Sequence, residues 1–134
     1  MNRSRRKGFD WERQIVKIFK QHFPNAVIRR NAMSGAIGTI YNEPDMAADV
    51  VVKLDFYPHK LQIEAKAGYG GSTMSVKKQW MDTIKKVSDS NYSFPVLALK
   101  FSGARSGAKH LICTDIDSFI RLLKYIQELE NVSD

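Results

Sequence analysis

A chain of 134 residues can bury one hydrophobic core but is short for two, so a single domain over residues 1–134 is expected. It has 21 lysines and arginines against 14 aspartates and glutamates. The resulting charge of +7 points to a nucleic acid partner, although the charge alone equally fits a basic surface kept for solubility. The single cysteine excludes an internal disulfide, and no apolar run is long enough for a signal peptide or membrane span, so a cytoplasmic protein is expected.

The N-terminal third of the sequence predicts a helix, a strand and a long loop. Residues 1–7 are interpreted as a basic arm, and 8–23 as a helix because apolar residues recur at helical spacing. Residues 26–30 form a short strand candidate. The segment 31–47 contains two glycines and a proline without clear periodicity, and a loop of this length in a compact domain is usually functional or mobile.

The remainder of the chain alternates strands and helices. Residues 49–54 are β-branched and apolar, as in a buried strand, and 60–66 alternate apolar and polar residues. Ser75 could cap a helix over 76–88, and strands are predicted at 94–101 and 111–114. A last helix begins at Thr114 or Asp115. This order predicts an α/β fold with a mixed sheet and helices packed on it.

Two acids and a lysine stand out on the predicted strands. Glu64 and Lys66 are two residues apart and therefore share one face, and Asp49 begins the preceding strand, predicted to be its antiparallel neighbour. The acids could then share a hard cation, which lowers the pKa of bound water, while Lys66 orients that water or stabilises developing charge. Taken alone, Glu-x-Lys is common on exposed strands and a strand-heading aspartate is usually a turn residue.

Asp45 is a second candidate for the first acid. It follows Pro44 in the long loop, whereas Asp49 directly precedes three valines. Because a metal ligand must be held by a rigid element, Asp49 is the preferred acid.

The sequence resembles the archaeal-type Holliday junction resolvases of the PD-(D/E)XK nuclease superfamily. In the opening stretch 6–13, Arg-Lys-Gly is followed four residues after the glycine by Glu12-Arg13. The similarity continues through 26–29, 33–35, Asp49, 63–66 and 94–101, and covers most of residues 5–101. The segment 35–48 is longer than the connection usual in that family.

The resemblance implies a restriction-endonuclease-like mixed sheet of about five strands flanked by helices. It also implies a homodimer that depends on Mg²⁺, or on Mn²⁺ as a substitute, and cuts two opposed strands of a four-way DNA junction. Glu12, Asp49 and Glu64 would hold the metal, and Lys66 would be the catalytic lysine. From the residues alone, Glu12 is more simply an ordinary glutamate at the edge of a helix stripe, paired with a nearby lysine or arginine.

Several cations are candidates for DNA contact. The resemblance implies backbone contacts for Arg13, Arg29 and Ser34, and the basic arm adds Arg5, Arg6 and Lys7. Strand alternation lets only one of Arg29 and Arg30 face the site; the resemblance favours Arg29, and Arg30 would meet phosphate elsewhere or be solvated. Gln79, on the helix after Glu-x-Lys, either hydrogen-bonds water or phosphate near the site or is a surface amide.

Two other functions compete with junction resolution. A duplex-cutting restriction-like or repair endonuclease would have the same fold. A non-catalytic nucleic-acid-binding module would use the basic residues alone, but it has no reason to direct acids at a polyanion. The sequence does not distinguish a cellular source from a virus acting in its host cell.

Overall fold

A single mixed sheet forms the centre of the molecule in the computed structural model, which describes residues 3–31, 48–68, 70–101 and 109–133. Its five strands lie in sequence order. They are β1 Val27–Arg30, β2 Val50–Lys53, β3 Leu61–Ala67, β4 Phe94–Lys100 and β5 His110–Cys113. The helices are α1 Arg3–His22, α2 Lys78–Asn91 and α3 Ile116–Ser133. The predicted α/β class and five-stranded mixed sheet are confirmed.

Strand pairing follows from the connections. β1, β2 and β3 pair antiparallel, β3 and β4 pair parallel, and β5 is antiparallel to β4. The parallel pair is the one whose strands are joined through a helix, α2, since a parallel crossover needs a long connection. The prediction that β2 and β3 are antiparallel neighbours is confirmed, with Val50 opposite Ile63.

Alternation along the strands divides the core between two faces of the sheet. Val50, Val52 and Ile63 pack with Trp11 and Ile15 of α1 on one face. The other face forms a second cluster; its members are Ala48, Val51, Ile84, Leu97 and Leu99. Glu64 and Lys66 alternate with Ile63 and so point to the side covered by α2.

Two helix starts differ from the sequence prediction. α1 begins at Arg3 instead of Gly8, so described residues 3–7 belong to the helix and not to a separate arm. α2 begins at Lys78, two residues later than predicted. Its N-cap is Lys77, without a side-chain cap hydrogen bond, so the predicted Ser75 cap is wrong. No helix in the described ranges is long and apolar enough to cross a bilayer.

Asp115, one of the two residues predicted to begin the last helix, caps α3. The Ser118 backbone N–H donates to Asp115 Oδ2 at 3.1 Å, and the Lys85 ammonium donates to the same oxygen at 2.9 Å. Burial alone would raise the pKa of Asp115, but the hydrogen bonds from Ser118 and Lys85 outweigh it and lower the pKa to about 2. The carboxylate is therefore more favourable in the folded than in the unfolded chain.

Replacing Asp115 with alanine should lower the free energy of unfolding by about 1–2 kcal/mol at neutral pH. Because the folded pKa lies below the unfolded one, this stabilisation is complete above the unfolded pKa and is lost as the pH falls through the folded pKa. The difference between wild type and Asp115→Ala in urea unfolding should therefore shrink between about pH 5 and pH 2. Asp117→Ala, in the same helical turn, is the control. A difference independent of pH would contradict the proposed cap.

Candidate functional site

The β2–β3 pairing brings two predicted acids together. Asp49 directly precedes β2, and continuing the register of Val50 with Ile63 sets it opposite Glu64. The backbone N–H of Ala65 donates to Asp49 Oδ2 at 2.9 Å, which fixes the carboxylate against β3. Asp49 and Glu64 therefore lie side by side, as the sequence predicted.

Opposing effects act on the pKa of Glu64. Burial first, and the neighbouring Asp49 second, raise the pKa of Glu64 to about 7. Lys66 opposes the shift, with its ammonium 3.2 Å from Glu64 Oε1. A cation bound beside Glu64 would favour the ionised carboxylate in the same way.

Glu12 joins the same site from α1. It is 7% exposed, and burial followed by the charge of Asp49 raises its pKa to about 7, with Glu64 adding to the rise. The first helix therefore brings a third acid into the electrostatic range of the other two. The simpler interpretation, an edge glutamate paired with a nearby cation, is right about the pairing, since Arg30 Nε lies 3.4 Å from Glu12 Oε1, but the side chain is buried and not solvated.

The two adjacent arginines lie on opposite faces of the sheet. Arg30 Nε lies 3.4 Å from Glu12 Oε1, and its guanidinium sits over the ring of Phe9 at 5.1 Å. Arg29 is exposed and lies opposite Val51, on the face to which Glu64 and Lys66 point. Arg30 is therefore the cation beside Glu12, whereas Arg29, which the resemblance favours, shares the face of Glu64.

Trp80 on α2 contacts the side chain of Lys66. It belongs to the partly buried rim of the α2-side cluster, and the Lys66 ammonium lies over its ring at 4.8 Å from the centroid. Lys66 is thus held between the Glu64 carboxylate and an aromatic face, a favourable arrangement for a cation. The helical spacing of Val76, Trp80 and Ile84 is typical of a core stripe and gives no sign of this contact.

Asn31 is a structural part of the site that sequence reasoning missed. It is buried, and its amide donates to the Ala48 carbonyl at 2.8 Å while its backbone N–H donates to the Asp49 carbonyl at the same distance. These two bonds tie the end of β1 to the segment before β2. Asn31 therefore helps to fix the position of Asp49. In the sequence, Asn31 only follows a predicted strand, and no residue pattern marks it as part of the site.

The other candidates for DNA contact are spread along the helices. Arg6 and Lys7 lie in the first turns of α1, and exposed Arg13 pairs with Asp10 at 3.2 Å. Gln79 is exposed in the first turn of α2. The Arg5 side chain, Ser34, the alternative acid Asp45 and the long loop of residues 32–47 lie outside the described part of the chain.

The donor atoms suit a hard divalent cation, although the side chains do not yet enclose one. Among the described residues, no three His, Cys, Asp or Glu side chains are grouped closely enough to hold a metal ion. Glu12 and Glu64 each lie beside a cationic side chain instead. Glu12 Oε1 is buried and accepts no hydrogen bond within the described ranges. A buried carboxylate oxygen without a hydrogen bond can coordinate a hard cation, so the donor chemistry of these residues suits such an ion.

The fold is similar to that of a known protein. A scan against protein-family models finds no match, and a search of curated proteins finds none either. The structure is similar to that of Hjc from Archaeoglobus fulgidus, a Holliday junction resolvase from an archaeal hyperthermophile, with a TM-score of 0.53. The match covers 83% of this chain and 90% of the other, at 16% sequence identity. The chain has the fold of this resolvase. The resemblance seen in the sequence is thereby confirmed at the level of fold.

Replacing Arg30 with glutamine should destabilise the protein by about 1–3 kcal/mol, because it leaves the buried Glu12 carboxylate without its cation. Arg29→Gln, one residue away and exposed, should stay within about 0.5 kcal/mol of wild type. The double variant Glu12→Gln/Arg30→Gln should recover most of the loss, since neither member of this pair is then charged. Urea unfolding measures all three. Equal losses for the two arginines would show that the contact has no energetic role.

Proposed function

We propose that the chain is a metal-dependent endonuclease that resolves four-way DNA junctions. The observation that carries the proposal is the convergence of Glu12, Asp49 and Glu64, from three different elements, beside Lys66. Acids brought together at a cost in charge repulsion are unexpected in a basic protein unless a cation binds there. The fold shared with an archaeal resolvase supports the same conclusion.

Asp49 and Glu64 would hold Mg²⁺ or Mn²⁺, with Glu12 completing the set of oxygen donors. Such an ion neutralises phosphate charge and makes hydroxide available near neutral pH. A bound ion would favour the ionised carboxylate of Glu64, whose pKa is raised to about 7 by burial and by Asp49. Ala65 and Asn31 keep Asp49 in place during this change.

Lys66 would act on the scissile phosphate directly. Its ammonium is held beside Glu64 and over Trp80, so it is oriented before substrate arrives. A positioned cation that meets negative charge as it develops stabilises the transition state more than the ground state. Arg30, held by Glu12 and Phe9, adds a second cation on the α1 side of the site.

The remaining cations would bind the DNA arms. Arg6, Lys7 and Arg13 lie on α1, the helix that also carries Glu12, so phosphate contacts along it would bring the backbone to the acids. Resolution requires two symmetric cuts, and the described chain has one such site. A homodimer would supply the second.

Glu64→Gln and Asp49→Asn should each reduce junction cleavage by roughly 100-fold or more, because each removes a charge at the ion. Junction binding in chelator should be unchanged or tighter. The control is Asp55→Asn, an exposed acid after β2. Cleavage of a four-way junction and a matched duplex, with Mg²⁺ and with chelator, gives the measurement.

Three outcomes of that assay would change the proposal. An active Asp49→Asn with an inactive Asp45→Asn would mean that the loop aspartate is the acid. Equal cutting of duplex and junction would favour a restriction-like or repair endonuclease. Binding without cleavage under any divalent cation would leave a nucleic-acid-binding module.

The start of α1 should contribute phosphate contacts without sequence preference. Arg6→Gln/Lys7→Gln should flatten the slope of log affinity against log salt by up to about 0.9 per lost contact on duplex arms. The control is Lys17→Gln/Lys20→Gln, which removes the same charge from the other end of the helix. Equal slopes for the two double variants would mean that the N-terminal cations are only solvated.

A further inference from the structure

The outer side of α3 is apolar and exposed. Among its described side chains, residues 116–132, only Ser118 is fully buried. Five apolar residues recur three or four positions apart on the side away from Ser118, each at least 42% exposed: Ile116, Phe119, Ile120, Leu123 and Ile126. This set is named the α3 stripe. Its spacing is that of a helix face that packs on another surface.

The opposite side of α3 is already used within the chain. Leu122 packs partly against the main core, and the Tyr125 ring meets Tyr57 edge-on at 5.0 Å. The Tyr125 hydroxyl donates to the Phe56 carbonyl at 3.3 Å. α3 is therefore anchored by its inner side, so the α3 stripe faces outward in the folded molecule. An isolated helix has little stability of its own, so packing the α3 stripe against a second surface would stabilise the helix.

The apolar surface continues onto β5. Ile112 is 61% exposed on this strand, which is an outer strand of the described sheet. It lies opposite Ala98 on the α1 side of the sheet, whereas Leu111 points to the α2 side. A cavity of about 250 Å³ lies beside Ile112, between α1, the sheet and α3, with Phe19 and Leu122 also in its apolar lining. Protruding apolar side chains thus occur next to an apolar cavity, as a self-complementary contact requires.

The area and the charge of this surface indicate what kind of partner covers it. Seven apolar side chains of the described α3, and Ile112 of β5, are more than 40% exposed. At on the order of 100 Å² each they approach the roughly 800 Å² per partner of a stable interface. α3 carries Asp117, Glu128 and Glu130 against Arg121 and Lys124, so it has no excess of positive charge for DNA. The surface resembles the apolar interface of a homodimer.

We propose that the α3 stripe and the neighbouring face of β5 form the interface of a symmetric dimer of this chain. The choice of a second copy over another protein rests on the proposed function, which needs two active sites. A two-fold contact through this surface gives each copy the same environment.

Sedimentation of the full chain without DNA tests the interface. Wild type should sediment at twice the 15.3 kDa chain mass at micromolar concentration. Leu123→Glu should weaken association by at least about 100-fold, because it places a charge in the apolar contact. Lys124→Gln changes the net charge by the same unit at the next position and should remain dimeric. Circular dichroism shows whether each variant is folded.

A second measurement covers the case in which Leu123→Glu does not fold. In a Cys113→Ser background, Leu123→Cys should form an intermolecular disulfide on mild oxidation faster than Lys124→Cys. Slower cross-linking through Leu123 than through Lys124, or a folded Leu123→Glu that stays dimeric, would overturn this interface.

The two proposals fail separately. A wild-type monomer that cuts junctions would overturn the dimer and leave the nuclease. A dimer broken by Leu123→Glu but inactive on every DNA would support the interface and overturn the proposed function.

Discussion

The antiparallel pairing of β2 with β3 is the constraint on which the candidate site depends. It sets Asp49 opposite Glu64 and lets the Ala65 N–H bind the aspartate at 2.9 Å. The apolar residues that alternate with the acids build the core, so the force that folds the sheet also brings two like charges together. A one-residue slip in this register would turn the acids and the core residues to the wrong faces at once. Core and site are specified by the same pairing.

Three acids in one region would repel one another if nothing compensated them. Within the protein, Glu12 lies beside Arg30, Glu64 lies beside Lys66, and Asp49 accepts a backbone N–H. The compensation is incomplete, since the pKa values of both glutamates are raised to about 7, first by burial and then by Asp49. The fold therefore maintains a region of excess negative charge inside a basic molecule. Such an arrangement stabilises a bound cation better than it stabilises the empty site, and it is the physical basis of the proposed activity.

Much of this site follows from the sequence, and the rest depends on contacts that sequence patterns do not contain. Strand alternation put Glu64 and Lys66 on one face, and the apolar run after Asp49 marked a buried strand. The same alternation could not tell Arg29 from Arg30, because that choice depends on whether Val27 or Ile28 turns inward. Ile28 does, and Arg30 follows it to the α1 face. The role of Asn31 arises from two bonds to a segment 17 residues away, and that of Trp80 from a lysine on another element. The sequence predicts too late a start for α1, because a glycine is typical of a helix boundary, whereas the helix continues through Gly8.

The central claim is that Glu12, Asp49 and Glu64 bind a divalent cation, and anomalous scattering from crystals soaked in Mn²⁺ tests it most directly. The account predicts a peak roughly 2 Å from carboxylate oxygens of Asp49 and Glu64. That peak should be absent from Glu64→Gln crystals and present in crystals of the Asp55→Asn control. The claim would be contradicted by a fully occupied Mn²⁺ elsewhere on the protein. In that case Glu12 would still lie beside Arg30, and Glu64 beside Lys66, as they do without metal.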